Sequence, residues 1–375
     1  MDSSSASGRE LLTEAAWRAL FDARSDHTVG VEEELMLLEP ETLDLLPEAP
    51  RAVEAVGDHA SVRTELPAAQ VEIVTPVCDS IARVVDAVTA TRRRLADAVA
   101  PWARLAGAGT HPFADPRGAL LPLPRYERLI EEYRWVIEQQ LVFGLHVHVG
   151  VRGADRALAV CNALRSHLPE LAALAGNAPL HAGRDTGLAS LRPKIAEMLP
   201  RQGVPPAFAS WRALADFTAW SGAAVGDVWW EVRPHSTFGT VEIRVPDTQA
   251  TAEETAGVVA VAAGLVAWLA ERHDAGETLA VHDSSRIAEN RWRALRHGLQ
   301  GELLDLDSGV PAPTRARVQR LIEAVAPAAE RLGGSGALDH ARALAEHNGA
   351  ERQRALAAQG GMRGVVEWLA DAFAP

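Results

Sequence analysis

The chain has 375 residues, 47% hydrophobic and 23% charged, which suffices for a large buried core and is too ordinary in charge for wholesale disorder. A formal net charge of −13 argues against nucleic acid or an anionic membrane as the main partner. It leaves anionic nucleotides open, because divalent cations held by carboxylates invert the sign locally.

The first residues, Met1 to Arg9, are Ser-rich with no apolar run, so no secretory leader is expected and a cytoplasmic setting follows. An amphipathic helix is predicted over about 9–24. The segment Gly30-Val31-Glu32-Glu33-Glu34-Leu35 then reads as a strand, in which Glu32 and Glu34 share a face. After turn residues in 41–50, the stretch from Glu65 to Val74 adds Gln70 and Glu72 in one phase, with Glu65 just upstream. Residues 81–100 form a long helical pattern ending before Pro101, with Arg92, Arg93 and Arg94 placed toward solvent. Cys78 and Cys161, the only cysteines, read as buried reduced thiols.

A short strand over 105–109 leads into the turn Thr110-His111-Pro112-Phe113. A helix over 125–143 precedes the strand Leu145-His146-Val147-His148-Val149, where the two histidines share a face. Another helix covers 154–174. The polar stretch 176–206 follows, carrying Arg184, Asp185, Ser190, Arg192 and the sole lysine, Lys194; loops of that length are usually functional or mobile. Residues 208–223 read as helix and 228–245 as a hairpin turning near 234–239, with Glu242 and Arg244 in one phase. The apolar run from Thr251 to Leu269 is bounded by Glu253, Glu254, Glu271, Arg272 and His273, leaving it short for a bilayer and better suited to a core helix. The remainder is mostly helical, broken at Gly333-Gly334-Ser335-Gly336. Strands and helices mix without regular βαβ alternation, which favours an α+β fold.

The strand faces concentrate carboxylates. Glu32, Glu34, Glu65, Glu72 and Glu242, joined by His146, form an oxygen-rich set suited to Mg2+ or Mn2+ rather than a set of zinc ligands, and no H-E-x-x-H motif is present. A sheet with one solvated face would show the same alternation. No P-loop motif occurs, and Ser190 lacks a G-x-S-x-G elbow. His111, His181 and His235 sit in loops without a motif. Arg233 and Arg244, strand-borne beside acids, suit phosphate or carboxylate recognition, as does Arg192; ion pairing with Glu231 or Glu242 is the alternative for the strand pair.

Several segments together resemble the type 2 glutamate–cysteine ligases, also described as carboxylate–amine ligases of the YbdK type. They are Gly30 to Glu34, Gln70 to Ile73, Gly107 to Phe113, Phe143 to Gly150 and Phe238 to Thr248. Ser190-Leu191-Arg192-Pro193 and Trp230-Glu231-Val232-Arg233-Pro234 fit the same pattern, as do Asn290-Arg291-Trp292 and Ala294 to Gly298. The resemblance implies a glutamine-synthetase-like fold: a curved, funnel-like, mostly antiparallel sheet with helices outside. It divides the chain into an N-terminal extension (1–26), a catalytic sheet domain (27–300) and a C-terminal helical part of the same domain (301–375).

The resemblance further implies ATP bound through magnesium, or manganese, with metal ligands at Glu32, Glu34, Glu65, Glu72, His146 and Glu242. It implies phosphate or substrate contacts at Arg192 and Arg244, with Arg233 and His148 added from their neighbourhood on the nucleotide side. Glu65 departs locally, because Leu66-Pro67-Ala68-Ala69 lacks an acid that some relatives carry. The implied reaction is amide formation through an acyl phosphate, with glutamate as the carboxylate and cysteine as the nominal amine. The implied partners are therefore small molecules, with a homodimer in keeping with the family. A guanidino-type phosphotransferase and a non-catalytic metabolite-binding protein on the same scaffold stay open.

Overall fold

The computed structural model describes residues 11–223 and 228–373. Its main sheet has seven strands: β1 (Val29–Leu38), β2 (Val62–Thr64), β3 (Gln70–Val74), β4 (Arg104–Ala106), β5 (Leu145–Gly150), β6 (Val232–Pro234) and β7 (Thr240–Ile243). They run in the order β6-β7-β5-β1-β3-β2, with β4 on β1 beyond the end of β5, and every pairing is antiparallel. The α+β expectation holds, and the sheet is mainly antiparallel with helices packed outside.

The period-two pattern divides the two faces as expected. Val29, Val31, Leu35 and Leu37 of β1 join Val71, Ile73, Leu145, Val147, Val149, Val241 and Ile243 in the main core. Beneath them runs the helix Ala252–Asp274, buried along nearly its whole length, so its apolar run is a core helix. The helices Thr314–Arg331 and Ser335–Glu346 pack against it. Glycine is required at the second crossing: a Cβ on Gly257 would lie 2.7 Å from the Ala341 backbone nitrogen. At the far end of β1, Met36 and Leu38 enter a second core with Leu43, Phe143, Val365 and Leu369, so the C-terminal helix Gly349–Ala372 covers this end of the opposite sheet face.

Several predicted elements differ in detail. The expected helix over 125–143 is two helices, Pro124–Tyr133 and Trp135–Glu138, separated by Arg134 at φ 44°. The 154–174 helix is interrupted by a 3-10 turn at Arg165–His167 before Pro169. Glu65 lies in the turn between β2 and β3 rather than in a strand. The N-terminal helix is Glu14–Asp22, and the Ser-rich start falls outside the described residues.

Arg92 is the correction with the largest energetic content. It was expected to face solvent with Arg93 and Arg94, but it is 1% exposed. Its Nε and Nη2 donate to Glu33 at 2.8 and 2.6 Å, and it also donates to the carbonyls of Gln249 and Ala250 at 2.9 and 3.0 Å. Its position, four residues after Val88 and three before Leu95, puts it on the buried stripe of the helix Ile81–Val99. Glu33 is correspondingly on the core face of β1, between the outward-facing Glu32 and Glu34.

Candidate active site

The register of the sheet assembles the site. Across β1 and β3, Glu34 lies opposite Glu72; across β1 and β5, Glu32 lies opposite His146 and Gly30 opposite His148. Across β5 and β7, Glu242 lies opposite His148, and Arg233 of β6 lies opposite Glu242. Directly opposed residues share a face, so these side chains converge on one patch, with Arg244 entering just beyond β7.

Within this patch Glu32 Oε2 is 3.4 Å from His146 Nδ1 and 3.6 Å from His148 Nε2, and His148 Nε2 is 3.9 Å from Glu242 Oε1. Glu32, His146 and Glu242 can each present a ligand atom within 4.8 Å of the others. Glu242, fully buried, is also held by Arg233 (Nε to Oε2, 2.5 Å) and by Arg244 Nη1, so the ion-pair reading of both strand arginines is realised. Burial opposes the charge on Glu242, but Arg233 and Arg244 outweigh it and hold the carboxyl well below the usual carboxylate range. Burial likewise opposes the charge on Glu32, and the contacts with His146 and His148 hold it low. Burial and the adjacent Arg244 push His146 down to about 4, so the imidazole is neutral near pH 7. Its link to Glu32 is then a hydrogen bond, not an ion pair. In the tautomer that donates Nδ1–H to Glu32, Nε2 offers its lone pair beside Gly144.

The remaining acids behave oppositely. Burial, then the neighbouring Glu65, raises Glu34 to about 7 even though its Oε2 accepts from the Gly144 N–H at 2.5 Å. Burial raises Glu65, and burial with Glu65, Glu32 and Glu34 raises Glu72 well above the carboxylate range. A buried set of like charges needs protons or cations, and oxygen donors are what hard divalent cations take. Two further observations fit such an ion: His148 Nε2 is buried without a hydrogen-bond partner, and Gly144 leaves a cradle. A Cβ there would sit 3.1 Å from His146 Nε2, 3.2 Å from Arg192 Nη1 and 3.4 Å from Glu34 Oε2. The residues therefore fit a magnesium-type centre, in competition with the arginines that now hold Glu242.

Arg192 is set in place by its neighbours. Its Nε donates to Asp247 at 2.8 Å and its Nη2 to the carbonyls of Arg244, Val245 and Pro246, leaving Nη1 toward Gly144 and Glu34. Asp247, 1% exposed, also accepts from Ser190 Oγ at 2.9 Å and the Asn177 N–H at 2.8 Å. Ser190 Oγ is thus a support for Asp247. His111 is buried away from the patch and His235 stacks on Phe238.

Two cavities flank the centre. One, of about 480 Å3, is mostly apolar and is lined by Val31, Val74, Pro76, Val77, His148 and Phe238 among others. The other, of about 210 Å3, is polar at its floor, with Glu34, Glu65, His146, Arg192 and Arg244. Its remaining walls include Gln70, Tyr126, Leu129, Ile137, Leu199, Trp229 and Glu231. The stretch 176–206, which forms the short helix Arg192–Ala196 as well as irregular segments, supplies Arg192, Pro193, Ala196, Leu199 and Gln202. A two-residue parallel pairing of Gln202–Gly203 with Trp229–Trp230 ties it to the hairpin. Tyr126, Leu129, Ile137 and Trp229 were not singled out from sequence: as apolar residues on helices or beside a strand, they carry no signal that separates a cavity wall from core.

Comparison with known proteins bears on this arrangement. A sequence model described as "Glutamate-cysteine ligase family 2 (GCS2)" matches residues 28–371. A Rubrobacter xylanophilus protein named "Putative glutamate--cysteine ligase 2-3" is 38% identical over 371 residues, covering 94% of this chain and 99% of that protein. A Thermobifida fusca protein named "Putative glutamate--cysteine ligase 2" is 35% identical, covering 94% and 92%. Among solved structures, the Francisella tularensis glutamate–cysteine ligase in complex with AMP superposes with a TM-score of 0.69 at 14% identity, over 94% of this chain and 90% of that one. A bifunctional glutathione synthetase from Pasteurella multocida gives 0.64 at 13% identity, over 96% of this chain and 54% of that one. These two show the shared fold.

Proposed function

Because the chain belongs to glutamate–cysteine ligase family 2, we propose that it is an ATP-dependent carboxylate–amine ligase joining glutamate to an amine in the cytoplasm, with ADP and phosphate as by-products. The observation that carries this reading is the pair of cavities on either side of one carboxylate–imidazole centre. The apolar cavity beside His148 suits the base of ATP, the centre suits its phosphates, and the polar cavity suits the reacting carboxylate. A carboxylate oxygen attacks the γ-phosphorus, the bond to ADP breaks, and an acyl phosphate forms. An amine nitrogen then attacks the acyl carbon and the carbon–oxygen bond to phosphate breaks.

Little covalent work falls to the protein, which positions the reactants and neutralises charge. Arg244, held by Glu242, and Arg192, held by Asp247, present guanidinium groups to the transferring phosphoryl group and the acyl phosphate. Arg233 sets the Glu242 carboxylate, and His148 borders the base cavity. Glu32, Glu34, Glu65, Glu72, His146 and Glu242 are the residues that would hold magnesium, which when bound supplies charge neutralisation and Lewis-acid polarisation. The test is phosphate release from Mg-ATP and L-glutamate against a panel of amines that includes cysteine. Release that needs both glutamate and one amine, with an amide of matching mass, is expected. ADP formed with phosphate carried off on an acceptor and no amide would instead mark a phosphotransferase.

A further inference from the structure

We infer that Asp247 is a positioning residue of the ligase reaction, acting through Arg192 and fixed from behind by Asn177 and the C-terminal helix. The inference rests on the ligase reading, in which Arg192 meets the transferring phosphoryl group. An arginine carries five N–H donors in a rigid fork. Here Nε donates to Asp247 Oδ1 at 2.8 Å, and Nη2 donates to the carbonyls of Arg244, Val245 and Pro246 at 3.0, 2.6 and 3.0 Å. The donors of Nε and Nη2 are thereby spent, and those of Nη1 are left toward the floor of the polar cavity. There a Cβ on Gly144 would lie 3.2 Å from Nη1 and 3.4 Å from Glu34 Oε2. Carbonyls orient Nη2 but carry no net charge, so Asp247 is the ion-pair partner that keeps Arg192, 8% exposed, in this pose.

Asp247 lies behind Arg192 and lines neither cavity, so it acts without touching substrate. Its own position is fixed on several sides. Oδ1 also accepts from Ser190 Oγ at 2.9 Å, and Oδ2 accepts the Asn177 N–H at 2.8 Å. A Cβ on Gly109 would lie 2.7 Å from Asp247 Cγ, which gives the Gly107-Ala108-Gly109 segment its place behind the carboxylate. Asn177 is held in turn. Its Nδ2 donates to the Thr248 carbonyl at 2.8 Å, and Gln353 Nε2, from the helix Gly349–Ala372, donates to Asn177 O and Oδ1 at 2.9 and 2.7 Å. Asn177, Asp247 and Gln353 are each no more than 1% exposed. Thr248, next along the chain, donates through Oγ1 to the carbonyls of Glu34 and Gly144 at 2.8 and 2.9 Å, so the same segment also sets the strand ends at the cavity floor. A carboxylate fixed in this way holds the guanidinium within the narrow tolerance that a positioned phosphoryl transfer requires.

The experiment is a double-mutant cycle on the full chain with Mg-ATP, L-glutamate and hydroxylamine, which traps an acyl phosphate as glutamyl hydroxamate. Asp247→Asn keeps the shape and removes the charge. It should lower kcat by about 100-fold while the KM values for glutamate and Mg-ATP change by less than about threefold, as for an interaction made in the transition state. Arg192→Met should cost at least as much. Adding Asp247→Asn to it should cost less than about threefold more, because Asp247 then has no guanidinium to position. Losses that multiply in the double variant would overturn the inference, since a merely structural role does not depend on Arg192. An undiminished rate for either single variant would overturn it as well and leave the ligase standing. No hydroxamate from the unaltered chain would instead remove the ligase reading and the inference with it. If thermal melting shows that Asp247→Asn does not fold, Ser190→Ala, which withdraws one hydroxyl from the same carboxylate, takes its place in the cycle. Its loss, about fivefold, should vanish in the Arg192→Met background, and a loss that persists there, or none in the parent, would overturn the inference.

Discussion

Removing Arg92 should cost about 6 kcal/mol of stability, and most of that should return when Glu33 is removed as well. The pair lies under the strand that carries Glu32 and Glu34, with Glu33 fully buried and Arg92 1% exposed. In Arg92→Met the Glu33 carboxylate keeps one neutral donor, Thr255 Oγ1 at 2.7 Å, and loses two charged ones. An uncompensated buried charge costs about 3–5 kcal/mol. The carbonyls of Gln249 and Ala250 also lose a donor each, at about 1 kcal/mol apiece. The double variant Arg92→Met with Glu33→Leu removes the charge but not the two orphaned carbonyls, so it should remain about 1–2 kcal/mol below the parent. Urea unfolding followed by tryptophan fluorescence measures both, with ten tryptophans in the chain as probes. A double variant no more stable than the single one would refute the reasoning, because the loss would then come from packing or the carbonyls and not from the stranded charge.

Three other expectations follow from the site and its surroundings. Glu32→Gln should reduce magnesium-dependent turnover by more than about 100-fold while leaving the melting temperature nearly unchanged, with Mn2+ titration as the direct readout; undiminished turnover would remove Glu32 from the metal set. Gly144→Ala puts a methyl group 3.1 Å from His146 Nε2, so turnover should fall about 10–100-fold with little change in unfolding, and full activity would show that the cradle is not used. His111 is held neutral because its Nδ1 accepts the N–H groups of Phe113 and Ala114 while Nε2 faces the Leu43 carbonyl, and burial pushes it down to about 4. Its unfolded value is 6.5, so the unfolded chain binds the proton first and the contribution is full above about 6.5 and lost as pH falls toward about 4. The loss approaches about 3 kcal/mol, and His111→Gln should flatten that part of the stability–pH curve relative to the parent.

The amino-acid sequence determined which side chains share a face. Alternation along β1, β3, β5 and β7 put Glu32, Glu34, Glu72, His146, His148 and Glu242 on one side and the valines and isoleucines on the other, because strand geometry is local and has period two. Arg92 was equally legible in principle. Its place on the helix stripe and Glu33's inward phase on β1 together indicate a buried pair, but a triplet of arginines reads first as a solvated face. Tertiary structure alone decided the rest. Asp247 reaches Arg192 across 55 residues, Arg291 reaches Glu231 across 60, and Tyr126 and Trp229 meet at one cavity from a helix and a strand. Such contacts depend on how the loop 176–206 and the helices of 124–138 close over the sheet, and no periodicity within a segment records where a distant segment will lie.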